Sequence, residues 1–275
     1  MWKLFGNKKR RRSPLNWRYV LYIALVAVGF LLIIAATQEI LTWEGEDSDA
    51  RDEYENLRTM FPIITEKPSP TAASPSGENP TLNDPDSESP SDHAPDPHEE
   101  QRLLSIAALT EINPDFIGWI TIWDVLDYPV VRGSNNSRYL YETFAGQRNS
   151  SGVLFMDYRI RRGFDEHVCI IYGHNMRDDS MFTPLRQYTN RGFMAENPYI
   201  AIANTAGDVM VYRVFATKLT DAWDEAYTIG VSDSARASEV FPNVPADASR
   251  FLLLSTCTRS RDDDERILVY AASVG

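Results

Sequence analysis

Eight short apolar runs, crowded into the last 160 or so residues, constrain this chain more than any other feature. They read GWITIWD, YPVVRG, GVLFMDY, HVCIIYG, YIAIA, DVMVYRVFATKL, FLLLSTC and RILVYAA. Each is rich in Val, Ile, Tyr or Phe and is bounded by Gly, Asn, Asp or Pro, the pattern of a β-strand between turns. Helical pieces fit between them at residues 136–144, 181–188 and 232–241. An open sheet of eight strands would leave two unpaired edges, so the pattern predicts a mainly β fold, closed or nearly closed into a barrel, with a few helices. The run LLSIAALTEI before Asn113-Pro114 predicts a helix that stops there, because a residue preceding proline is pushed out of the helical region.

The segments ahead of this domain differ in kind. The first nineteen residues carry seven Lys or Arg and no acid. Residues 19–37 (YVLYIALVAVGFLLIIAAT) carry no charge, and as a helix would extend about 28 Å, enough for one bilayer crossing. With a basic flank on its N-terminal side, this predicts a cytoplasmic tail (1–18), a transmembrane anchor (19–37) and an extracytoplasmic remainder. Residues 38–64 form a juxtamembrane segment in which EYENLRTMF fits a short amphipathic helix. Residues 65–100 hold eight of the sixteen prolines, with Ser, Asp and Glu and almost no large apolar side chain. That composition predicts a disordered linker, with His93 and His98 solvated within it. The folded domain is expected over 101–275.

Charge and cysteine usage exclude several classes. The formal net charge is −12 in spite of the basic tail, leaving −19 on the remainder. Such a surface argues against nucleic acid and against an anionic lipid face as partners. The run DDDE lacks the alternating ligands and central glycine of a calcium loop, and no metal or cofactor is implied. Of the two cysteines, Cys169 lies inside an apolar run and reads as a buried small side chain, and a bridge to Cys257 would silence the latter.

Cys257 closes one apolar run and Arg266 opens the next. If the two pair antiparallel about the intervening loop, a thiol and a permanent cation share one end of the sheet, the setting that favours the reactive thiolate. Arg259 and Arg261 lie in that loop too, but Arg266 alone abuts the apolar strand. A general base is supplied upstream by His174 in CIIYGHNM. Asn175 follows that histidine directly, and His precedes Cys in the chain, the reverse of the papain order. His167 reads as a surface residue at a strand start.

On these motifs the chain from about Leu103 to Ser273 resembles the class B sortases. The matching segments are EINPDFIGWI, YPVVRGSNNSRYL, GVLFMDYR, IIYGHNM with SMFTPLRQY, and LSTC followed by an arginine. The resemblance implies an eight-stranded sortase barrel and a membrane-anchored cysteine transpeptidase of Gram-positive bacteria. Its substrates would be secreted proteins with a C-terminal sorting signal, NPxTN-like or LPxTG-like. The bond after threonine is cut through a thioacyl intermediate, and the protein passes to an amine of the peptidoglycan precursor or of a pilin. By position Cys257 is the nucleophile, His174 the general acid/base and Arg266 the charge stabiliser. Tyr172, Asn136, Leu140, Ser255, Thr256 and Tyr227 are expected at the signal, with Asn136 and Leu140 on one helical face and Ser255 and Thr256 donating hydrogen bonds. The connection 220–249 would set specificity. Arg259 stands where some accounts of the family place a catalytic acid. Two other readings compete: a cysteine peptidase that hydrolyses without transfer, and a non-catalytic surface-binding module.

Overall fold

The computed structural model describes residues 17–64, 67, 97–260 and 264–274. The stretch 68–96, most of the expected linker with His93, and Arg261, Asp262 and Asp263 of the acidic loop lie outside the described residues. Two compact units are present, Met1–Glu46 and Asp47–Gly275.

Helix α1 spans Trp17–Met60 and contains the charge-free run. Side chains at positions 18–20, 23, 36 and 39–47 are outside the described set, and among the described residues no helix is long and apolar enough to cross a membrane. Helix α2, Pro97–Ile112, ends where Asn113-Pro114 requires. It begins inside the segment expected to be linker, with His98 in its first turn.

The eight runs all form strands: β1 (Phe116–Ile122), β2 (Leu126–Val131), β3 (Leu154–Met156), β4 (Val168–Tyr172), β5 (Tyr199–Asn204), β6 (Val209–Asp221), β7 (Phe251–Cys257) and β8 (Glu265–Ser273). They close in the order β1-β2-β3-β4-β7-β8-β6-β5, with β5 pairing back onto β1. All pairs are antiparallel except β2/β3 and β4/β7. Strands such as β1 and β7 are buried almost continuously rather than alternately, because helices and loops cover the outside of the wall while side chains fill the inside. Helix α4 (Ser234–Val240), capped by Asp233, is one such cover. The Phe241 ring just beyond it lies 5.9 Å from Phe251 and 5.2 Å from Tyr270.

Three expectations change. The segment 136–144 holds only one 3₁₀ turn, Arg138–Leu140, since the Asn135 carboxamide accepts from the amides of Ser137 and Arg138 and so competes with the helix. The piece near 181–188 is likewise 3₁₀, Thr183–Thr189, followed by the short helix α3, Arg191–Glu196. The folded body also begins well before residue 101. Ala50, Tyr54, Leu57 and Ile63 are buried in its core, the first three at helical spacing on α1. Tyr54 donates to the Gly152 carbonyl at 2.5 Å and accepts from the Phe144 amide at 3.3 Å. Arg51 pairs with Asp178 at 2.9 Å, and Arg58 donates to the Asp127 carbonyl at 2.9 Å.

Both cysteines are free. Cys169 on β4 stands opposite Leu252 on β7, five residues along that strand from Cys257. That is about 17 Å, far beyond the reach of a disulfide.

Candidate active site

Strand β7 is buried from Phe251 through Thr256 and becomes exposed only at its last residue, Cys257. The direct register partner of Cys257 on β8 is Arg266. The thiol and the guanidinium are therefore cross-strand neighbours, as the apolar runs predicted. His174 arrives from a third strand. Because β4 runs parallel to β7, both strands end at the same rim, and Tyr172 pairs with Ser255. Beyond that pair the Gly173 amide donates to the Ser255 carbonyl at 3.2 Å, and the Thr256 hydroxyl donates to the Gly173 carbonyl at 2.8 Å.

Glycine is required at 173. A Cβ there would stand 2.4 Å from Leu154 Cδ2 and 2.7 Å from Phe182 Cδ2. The close approach lets the chain turn His174 toward the rim without displacing the core. The His174 ring is fixed by Nε2 at 2.8 Å from the Leu140 carbonyl. A carbonyl only accepts, so Nε2 carries a proton and the lone pair of the neutral ring is on Nδ1. Burial lowers the pKa of His174 from its ordinary value, opposed by the Leu140 bond, so the neutral imidazole is favoured. Asn175, weighed in the sequence only for its order in the chain, ties the two segments together: its Nδ2 donates to the Cys257 carbonyl at 2.9 Å.

These residues open onto a cavity of about 710 Å³, within the usual range for a ligand site. Every residue expected at the site lines it: Cys257, His174, Arg266, Tyr172, Asn136, Leu140, Ser255, Thr256 and Tyr227. The details differ from expectation. Asn136 and Leu140 reach it from a loop and a 3₁₀ turn rather than from one α-helical face. Ser255 shares a hydrogen bond of 2.7 Å with the Tyr227 hydroxyl, and the Thr256 hydroxyl is engaged by Gly173, so both brace the rim. Tyr227 sits in a 3₁₀ turn, Glu225–Tyr227, within the long connection and stacks on Tyr172 at 6.1 Å. Arg259 turns away from the cavity to the Met176 carbonyl at 2.6 Å and Asp179 at 3.3 Å, linking the loop after the cysteine to the loop after the histidine.

Among the lining residues that the sequence motifs did not single out are Phe155, Trp223 and Arg159. Trp223 is 83% exposed and presents its indole at the edge of the cavity. Its signal was legible, an aromatic among acids in DAWDEAY. Arg159 had no sequence signal beyond its nearness to Asp157.

A closed barrel that gathers a thiol, an imidazole and a guanidinium on one rim of a peptide-sized cleft defines a class, the cysteine acyl-transfer enzymes. The Sortase domain family matches residues 123–274, and the chain belongs to that family of cysteine transpeptidases. Sortase B of Listeria monocytogenes is 30% identical over 172 residues, covering 58% of this chain and 70% of that protein. Sortase B of Staphylococcus aureus is 24% identical over 268 residues, covering 94% and 97%. Among solved structures, the Staphylococcus aureus sortase B-substrate complex superposes with a TM-score of 0.54 at 27% identity, over 62% of this chain and 85% of that one. These relatives are class B sortases.

Proposed function

We propose that the chain is a membrane-anchored sorting transpeptidase in which Cys257 attacks the peptide bond after the threonine of a C-terminal sorting signal, NPxTN-like or LPxTG-like. The observation that carries this reading is the cross-strand pair Cys257/Arg266 with His174 on the same cavity. His174 Nδ1 takes the thiol proton, and the sulfur adds to the carbonyl carbon. Negative charge then grows on the carbonyl oxygen, where the Arg266 N–H groups stabilise it. As the C–N bond breaks, His174 returns its proton to the leaving amine, and the acyl group remains on sulfur as a thioester. An incoming amine reverses the sequence: it adds to the thioester, gives a proton to His174 and expels the thiolate. The donor is a secreted protein, and the acceptor an amine of the cell-wall peptidoglycan precursor or of a pilin.

Solved relatives support these partner classes. One is a sortase B complexed with triglycine, and another a Streptococcus pyogenes class B sortase involved in pilus biogenesis. The anchor rests on the charge-free run within α1. Leu25, Phe30, Leu31, Leu32 and Ile33 in that run are all more than 60% exposed, an arrangement at home in lipid rather than in water. The basic residues ahead of it put the N-terminus in the cytoplasm and the catalytic domain outside.

The test is turnover of a fluorogenic sorting peptide with and without an added amine such as triglycine. A peptide–amine adduct is expected, lost entirely in Cys257→Ala. Arg266→Met is expected to lower kcat on the order of 10²–10³-fold, as loss of an oxyanion donor does. Full-rate release without any adduct would assign hydrolysis instead of transfer. Turnover by Cys257→Ala would end the proposal.

A further inference from the structure

Arg159 and Asp157 form a site inside the cleft that the acyl-transfer chemistry does not use. Asp157 follows β3 and is completely buried. Both its oxygens are taken by Arg159 in a two-pronged pair, Nε to Oδ1 at 2.9 Å and Nη2 to Oδ2 at 2.7 Å. The Tyr172 hydroxyl adds a third bond to Oδ2 at 2.9 Å. Burial by itself would raise the Asp157 carboxyl, but the Arg159 bonds outweigh it and hold the pKa below the ordinary carboxylate value. The carboxylate therefore stays ionised, and the guanidinium is locked by it while remaining 44% exposed in the cavity wall. A long flexible side chain has been made rigid in the wall of the cavity, which is what selective recognition needs.

The chemistry of this end of the cleft is one-sided. Asp157 engages Nε and Nη2 of Arg159, so the Nη1 amino group is not used in holding that carboxylate. Asn136 beside it accepts from the Tyr158 amide through Oδ1 at 3.0 Å, which leaves its own Nδ2 amino group. Both are hydrogen-bond donors. Because Asp157 neutralises Arg159, the pair calls for an oxygen acceptor and does not demand a full negative charge. Strand β3 lies two strand positions from β7 across the sheet, on the order of 10 Å. Three or four extended residues span that distance. The half of the substrate that remains on sulfur must stay bound while the other half departs, so a rigid donor pair within peptide reach of Cys257 is of most use to the acyl half.

We propose that Arg159, held by Asp157, is a specificity-determining residue that binds an oxygen-bearing side chain of the peptide three or four residues to the N-terminal side of the cleaved bond. This rests on the acyl-transfer reading for the identity of the peptide, though not for the contact itself. The decisive comparison uses two sorting peptides that differ only at that residue, asparagine against norleucine, scanned over the third and fourth positions.

Two measurements keep the contact separate from the chemistry. Anisotropy of labelled peptide on the full-length Cys257→Ala chain reads binding alone, and turnover by the active chain gives kcat and KM. At one of the two positions the asparagine peptide is expected to bind tighter, and Arg159→Met in that background is expected to remove roughly ten- to a hundred-fold of the preference, the worth of a hydrogen bond to a charged group. In turnover the loss should fall on KM more than on kcat. Since Arg159→Met strands a buried carboxylate, Asp157→Asn/Arg159→Met restores neutrality and must lose the same preference. Arg159→Lys, which keeps charge without the fork, should recover little of it. Equal weakening of both peptides, or an unchanged preference in the double variant, would overturn the assignment. A preference that survives in binding while turnover fails would remove the transpeptidase reading and leave the contact standing.

Discussion

His174 carries the pH dependence of the site. Its ring is half-buried and tied by Nε2 to a carbonyl, and desolvation is the dominant influence on its pKa, which lies below the ordinary value. A histidine that gives up its proton more readily folded than unfolded costs stability in acid, since the unfolded chain takes the proton more easily. Its contribution is complete above about pH 6.5 and is lost as pH falls from there through the lowered folded value. The same shift sets the chemistry, because only neutral His174 can accept the Cys257 proton. The acid limb of kcat/KM for thioester formation is therefore expected to have its midpoint below about 6.5. A pre-steady-state pH profile of acyl-enzyme formation measures it. A midpoint at or above the free-histidine value would show that His174 is not the group being titrated.

At the scale of elements, the site is a consequence of strand direction. Parallel β4 and β7 end at one rim, and antiparallel β8 begins there, so His174, Cys257 and Arg266 converge from three strands with no long loop reaching inward. The hinge that makes this work is Gly173. Gly173→Ala would push a methyl group against Leu154 and Phe182, an overpacking expected to cost about 1–3 kcal/mol. The displacement falls on His174 and on the Thr256–Gly173 bond, so kcat should fall further than the loss of stability explains. Thermal unfolding compared with single-turnover acylation separates the two effects. The strands and the three convergent residues were legible in the sequence because apolar runs, turn residues and strand ends are local signals. The 3₁₀ turn Arg138–Leu140 was not, since Asn135 overrides a helical pattern through one side chain. Asp157–Arg159 was hidden for a different reason: an aspartate and arginine two residues apart look like any exposed turn until the fold buries one of them.

For the whole molecule, the question is where the folded body begins. Composition places a proline-rich break over 65–100 and suggests that everything ahead of it is tether, yet Ala50, Tyr54, Leu57 and Ile63 are core residues of the unit Asp47–Gly275. The spacing of Tyr54 and Leu57 was legible in EYENLRTMF as an amphipathic helix, but no local signal said which surface its apolar face would cover. The clamp is distributed: Tyr54 bonds Gly152 and Phe144, Glu53 accepts from the Ala145 amide at 2.9 Å, and Arg51 pairs with Asp178 in the loop that follows His174. A chain starting at residue 47 should therefore unfold as cooperatively as the full protein, whereas one starting at residue 101 exposes the floor on which Tyr54 and Leu57 sit. Removing a single large buried side chain costs about 2–5 kcal/mol, so the shorter chain is expected to lose at least that much and to lower kcat through the Asp178 loop. Tyr54→Ala in the longer chain should reproduce a substantial part of the loss. Denaturant unfolding of the three proteins reads it directly: equal midpoints for the chains starting at 47 and 101 would mean that the helix rests on the barrel without stabilising it.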